Sequence, residues 1–183
     1  MARPGARCQE ERRGLLKAKM IFRLSQRLNT KLKAGPLSAS PLDGNPYADW
    51  SARIFTAART QYILLSHTSA LYSVVMFGCG ITWDGLFIKR AVDSIREAMS
   101  CDGLGLIYMN FLAPATASVR FRKALNNSVT GSMNELEAAA RLHLQTGEWS
   151  PFDAGFKLNE TLLSALGLPD INGYATPREA FQR

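Results

Sequence analysis

Three short runs between Arg53 and Gly78 constrain the fold of this chain more than any other stretch. Arg53-Ile54-Phe55-Thr56-Ala57 is followed by a break at Ala58-Arg59. Thr60-Gln61-Tyr62-Ile63-Leu64-Leu65-Ser66 is followed by a break at His67-Thr68-Ser69, and Ala70 to Gly78 completes the set. Each run is rich in β-branched and aromatic residues and polar clusters divide them, the pattern of an antiparallel meander. In the last run Leu71, Ser73, Val75 and Phe77 alternate with Tyr72, Val74 and Met76. Both sets are largely apolar, so this strand is expected at the centre of a sheet with its two sides covered.

The flanking segments supply helices to pack on that sheet. Met20–Leu24 reads as a strand, Ser25 caps a short helix to about Lys33 with Leu28 and Leu32 on one face, and residues 34–49 form a long Gly/Pro-rich loop. Thr82 or Asp84 is expected to cap a helix over 83–100 with the stripe Ile88, Ala91, Val92, Ile95 and Met99; Asp102-Gly103 ends it. Residues 104–111 are apolar without a period and take no assignment. A strand is expected over 117–123, with Val119 and Phe121 opposite Arg120 and Arg122. Ser132-Met133-Asn134-Glu135 is a capping box opening a helix over 132–146 that Gly147 stops, its core face including Met133, Leu136, Ala140 and His143 or Leu144. Asn159 is expected to cap a helix through Leu166, ended by Gly167, and Thr176-Pro177-Arg178-Glu179 to open a last one. The fold class is therefore α+β: a two-layer sandwich of a mainly antiparallel sheet (52–57, 60–66, 70–77, with 20–24 and 117–123) and amphipathic helices.

Charge divides the chain unevenly. Residues 1–19 hold six basic and two acidic side chains, so +4 of the net +7 lies there, in a stretch without apolar periodicity. They read as a disordered basic extension upstream of a natural start at Met20, with residues 20–183 as a single domain. The remaining +3 is ordinary and supports nucleic-acid binding only weakly. Cys8, Cys79 and Cys101 are odd in number and lack C-x-x-C spacing, which points to free thiols and a cytoplasmic location. Tyr62 to Ile81 is apolar, but Ser66-His67-Thr68-Ser69 interrupts it, so no membrane span is expected.

The residues offer no catalytic set. His67 reads as a surface turn histidine and His143 as a packed one. Two histidines and three scattered cysteines have no metal-ligand spacing, so neither metal nor cofactor is expected. Asp49, Asp84, Asp102, Glu148 and Asp153 sit in loops or at helix ends, with nothing to pair any two for acid–base work. Gly78-Cys79-Gly80 lacks the lysine and hydroxyl of a phosphate loop. Trp50, Trp83 and Trp149 lie near element ends, where they close the edge of the core. One constellation stands out: Arg120 and Arg122 on a strand, then Ser128, Thr130, Gly131 and Ser132 in a turn entering a helix N-terminus. Amides, hydroxyls and guanidiniums together suit an anion, whereas a well-capped helix beside a solvated strand face would account for the same residues.

Met20-Ile21-Phe22-Arg23-Leu24-Ser25, Leu71-Tyr72-Ser73-Val74-Val75 and, above all, Ser128-Val129-Thr130-Gly131-Ser132-Met133-Asn134-Glu135 resemble a bacterial family classed as a domain of unknown function, over about residues 20–181. The resemblance implies no activity and no catalytic residues, and Asn127 stands where it implies a basic residue. The expected function is that of a non-catalytic binding or regulatory domain whose partner is a phosphate-bearing ligand or another protein. A nucleic-acid-associated protein, and an enzyme acting on a phosphorylated small molecule at the 128–132 turn, are the alternatives.

Overall fold

The structure, a computed structural model, describes residues 19–163, 166 and 174–182, and every structural statement below concerns these. The expected extension before Lys19, Cys8 and Gly167 fall outside them. The strands are β1 (Met20–Leu24), β2 (Asp49–Ala57), β3 (Thr60–His67), β4 (Ser73–Phe77) and β5 (Val119–Lys123). The main helices are α1 (Gln26–Leu32), α2 (Asp84–Cys101), α3 (Asn127–Gln145), α4 (Pro151–Asn159) and α5 (Pro177–Gln182). The unassigned stretch is helical: a single turn over Gly105–Ile107, a π-helical turn over Tyr108–Leu112 and a 3-10 turn over Ala113–Ala117.

The fold is α+β around one mixed, mainly antiparallel sheet of order β4-β3-β2-β1-β5. The meander is present, with Ile54 opposite Ile63 and Leu64 opposite Val75. Its first turn is tight, and Ala58 and Arg59 both adopt positive φ, the geometry that matches strand twist in a two-residue hairpin. β1 lies between β2 and β5 and runs parallel to both, and all five of its residues are buried. The last meander strand is not central: β4 is an edge, it begins at Ser73, and Leu71 takes a left-handed conformation just before it. Its first four residues are nevertheless buried, because α2 and α4 flank it, and Phe77 is exposed.

Strand alternation builds two cores. Phe22, Trp50, Ala52, Ile63, Leu65 and Val74 point to one face, where Phe87, Ala91, Ile95 and Met99 of α2 meet them. The stripe of α2 is turned slightly from expectation, with Phe87 fully buried and Ile88 only partly so. Phe55, Tyr62, Leu64 and Val75 point to the other face, under Met133, Leu136, Ala140 and Leu144 of α3 and Ala154 and Leu158 of α4.

Helix boundaries differ from expectation where packing outweighs a cap signature. α3 begins at Asn127, five residues before Ser132. Asn126 is its cap and accepts from the Val129 amide at 2.9 Å, so Ser132 and Glu135 lie inside the helix. The reason is the apolar stripe. Val129 continues the Met133-Leu136-Ala140-Leu144 series by one turn and packs on the second core, which draws 127–131 into the helix. α2 has Trp83 as its cap residue with no side-chain bond, while Asp84 accepts from the Gly85 amide inside the first turn. α4 is capped by Ser150, and Asn159 is its last residue rather than the cap of a following helix. The Thr176/Glu179 capping box forms in both directions, at 3.2 and 3.0 Å. Trp50 is fully buried at the middle of the first core, and Trp83 is exposed.

Candidate functional site: a crevice at the ends of the parallel strands

Because β1, β2 and β5 run parallel, their carboxyl-ward ends and the helices that follow gather on one side of the sheet, where α/β crevices form. A crevice of about 370 Å³ opens there. Leu24, Leu37, Ala52, Val129 and Met133 supply apolar wall, and Ser25, Gln26, Ser51 and Thr130 polar wall. Three cationic residues border it: Arg23, Arg53 and Lys123.

The three cations are held very differently. Arg23 is buried in β1, and all five of its N–H donors are engaged. Nε and Nη2 form a fork on Asp49 at 2.7 and 2.8 Å, Nη2 also reaches the Pro41 carbonyl at 2.8 Å, and Nη1 donates to the Ser40 and Lys123 carbonyls at 2.9 and 3.4 Å. Asp49 also accepts from the Thr68 hydroxyl at 2.8 Å, and Thr68 pairs with Ser51 at 3.0 Å. Arg23 therefore ties the 34–48 loop to β1 and β5 and leaves nothing for a ligand. Arg53 is half-held: it pairs with Glu137 at 3.0 Å and donates to Asn134, and Glu137 is shared with Arg141 at 2.6 Å. The Lys123 ammonium has no partner among the described residues, and its side chain is exposed.

Of the six residues expected to bind an anion, Thr130 alone lines this crevice. Its hydroxyl donates to the Asn126 carbonyl at 2.9 Å. Ser128, Gly131 and Ser132 sit in the first turns of α3 rather than in a loop, so the free amides there belong to Asn127 and Ser128. Arg120 is exposed on β5, and Arg122 donates to the Phe121 carbonyl at 3.0 Å. The strand and the helix start are neighbours in the fold, but both guanidiniums lie outside the crevice.

The other titratable candidates are committed elsewhere. His67 is buried rather than a surface turn residue: Nε2 donates to the Pro46 carbonyl at 2.6 Å, Nδ1 accepts from the Ala70 amide at 3.0 Å, and the ring lies edge-on to Trp50 and Phe181. Burial lowers its pKa to about 4, which keeps it neutral. Asp102 is buried beyond α2, where it accepts from the Tyr72 hydroxyl at 2.6 Å and pairs with Arg178 of α5 at 2.9 Å. Burial, reinforced by Asp102, raises the Tyr72 phenol. No cluster of three His, Cys, Asp or Glu able to hold a metal occurs among the described residues. A second, more open groove of about 520 Å³ runs along β4 between Arg90, Asp93 and Glu97 of α2 and Pro151 and Phe152 of α4.

Sequence reasoning missed the Arg23–Asp49 pair. Its one signal was a charge in the middle of Met-Ile-Phe-Arg-Leu, where a strand buried on both faces has no place for an unpaired cation.

These features define a mixed α+β domain with a cation-bordered crevice at its parallel end. The chain belongs to the family described as domain of unknown function DUF6933, whose model matches residues 21–180. No curated protein and no solved structure was found to match it. No helix among the described residues is long and apolar enough to cross a membrane.

Proposed function

We propose that this chain is a non-catalytic binding domain of the cytoplasm that holds a small organic anion, a phosphate ester being the favoured chemistry, in the crevice between β1, β2, β5 and α3. One observation carries the reading: Lys123, whose ammonium has no partner among the described residues, and the half-held Arg53 both border a crevice of mixed apolar and polar wall whose volume suits a small molecule. The start of α3, where the Asn127 and Ser128 amides are free, adds its positive dipole end near Thr130. Ser128, Gly131 and Ser132 of that helix, and Arg120 and Arg122 on the adjoining strand, form the outer, long-range part of the same positive region.

Binding is favoured over catalysis because the acid–base groups nearby are spoken for. Asp49 is closed off by Arg23 and Thr68, and His67 has both ring nitrogens bonded. The exposed, unpaired Cys79 and Cys101 suit a reducing compartment.

Thermal melting with adenosine monophosphate or inorganic phosphate tests the proposal. A ligand at roughly 100 times its Kd adds about 2.7 kcal/mol, which in a chain of this size is a rise of roughly 5–10 °C. The rise is expected to shrink sharply in Lys123→Ala. A flat titration to tens of millimolar, or an equal rise in the variant, removes the crevice from consideration.

A further inference from the structure

The two edges of the sheet are finished in opposite ways. On β4 the outward-facing residues are Ser73, Val75 and Phe77, because Tyr72 and Gly78 bond inward to His67 and Gln61. Asn159 closes that edge: its side chain accepts from the Ser73 amide at 2.6 Å and donates to the Ser73 carbonyl at 2.9 Å, imitating a paired strand. Gly155 brings α4 so close that a Cβ there would stand 3.2 Å from the Val75 nitrogen.

β5 carries no such closure. Met20 donates to the Ser118 carbonyl, and Lys123 donates away from β1 to the Ser38 carbonyl at 3.1 Å. In a parallel pair of this register, Val119 and Phe121 therefore direct their amides and carbonyls off the sheet, as Lys123 does its amide, while the Lys123 carbonyl accepts from Arg23 at 3.4 Å. Ser38 makes one rung at Lys123. Across Val119 and Phe121, the Arg122 guanidinium on the Phe121 carbonyl is the one partner recorded among the described residues. Side chains on this edge are sorted by face: Val119 and Phe121 lean on the first core, Phe121 5.9 Å from Phe87, while Arg120 and Arg122 point to the opposite face.

We propose that β5 is a docking edge for an extended acidic peptide segment, which adds to the sheet as a sixth strand. It would place Asp or Glu beside Arg120 and Arg122 and apolar side chains beside Val119 and Phe121. Charge selects this occupant over a second copy of the chain. Two β5 edges paired antiparallel about Phe121 would set Arg120 against Arg122 twice, and like charges directly opposite one another are destabilising. The same two arginines thus reject self-pairing and recruit an acidic strand. The interaction does not rest on ligand binding in the crevice, whose lining excludes both arginines.

The probe is a fluorescent ten-residue peptide alternating Val and Glu, titrated to about 1 mM against the full chain in low salt. Three results are expected: saturable binding; a loss of about tenfold or more in the double variant Arg120→Glu, Arg122→Glu; and loss of binding when alternate peptide amides are N-methylated, since that removes the ladder donors. A Val/Lys peptide is expected to bind the double variant and not the native chain. No binding of the Val/Glu peptide, equal binding by the double variant, or undiminished binding of the N-methylated peptide overturns the proposal. A chain that dimerises on sedimentation and becomes monomeric in the double variant also overturns it, in favour of self-pairing. The peptide changes act on the native chain, so the test stands even if the double variant folds poorly.

Discussion

The β4 side and the β1/β5 side of this sheet use polar groups to different ends. Around β4 and the adjoining end of β3, polar atoms are paired within the chain: Asn159 with Ser73, Tyr72 and Arg178 with Asp102, His67 with Pro46 and Ala70. At the ends of β1 and β5 one pair, Arg23–Asp49, is equally complete, yet around it the Lys123 ammonium, the Arg120 guanidinium and the outward backbone of Val119 have no partner among the described residues. Buried polar atoms left unpaired are costly, so completeness on the β4 side and at Arg23 is a condition of folding. Exposed groups carry no such penalty, which makes the β1/β5 side the one where charge and backbone remain available to something else.

The largest effect expected is from Arg23→Met. It leaves Asp49 buried without its cation and frees the Ser40 and Pro41 carbonyls, at a cost of roughly 3–5 kcal/mol. Urea unfolding measures it. Adding Asp49→Leu should recover a substantial part, and a single variant as stable as the native chain would show that this pair is not the tie it is described as.

Acid provides the next test. His67 is neutral in the fold with a pKa of about 4, against 6.5 for an ordinary histidine. Below pH 6.5 the unfolded chain takes up a proton that the native chain refuses. The contribution of His67 is thus complete above pH 6.5 and declines as pH falls toward 4, by roughly 3 kcal/mol in total. Stability measured from pH 7 to 4 should fall accordingly in the native chain and more shallowly in His67→Gln.

Asn159→Ala should cost about 2 kcal/mol, since it strands the buried Ser73 amide and carbonyl. Hydrogen exchange at the Ser73 amide should quicken with it, and an unchanged rate would mean that α4 closes the edge by packing alone. Gly131→Ala has the smallest effect and the opposite sign. A Cβ there meets nothing within 4 Å, so the helix interior should gain on the order of 1 kcal/mol by the ordinary difference between alanine and glycine. Lost anion affinity alongside gained stability would show that this glycine serves close approach of a ligand.

Much of this fold was legible because its signals are local. The meander shows in three β-rich runs, and α1 in Leu28 and Leu32. Gly103 and Gly147 stop their helices with positive φ, and Thr176 and Glu179 cap α5. What was not legible depends on partners far along the chain. Arg23 finds Asp49 26 residues away and the Lys123 carbonyl 100 away, and Asn159 finds Ser73 86 residues away. The parallel placement of β1 between β2 and β5 is likewise long-range. Ser132-Met133-Asn134-Glu135 misled because a capping signature marks a start only where the chain before it is not helical, and Val129 gave that chain a reason to be. For the candidate site, sequence located one wall, at Thr130, but not the crevice, since Lys123 and Arg53 meet it only through strand pairing.

The most direct test of the central claim is an amide ¹H–¹⁵N shift map of the chain titrated with adenosine monophosphate. The account predicts saturable shifts concentrated at Arg53, Lys123, Val129 and Thr130, with the amides of the β4 side unmoved. Shifts centred instead on the groove between Arg90 and Phe152, or none at tens of millimolar, would contradict it.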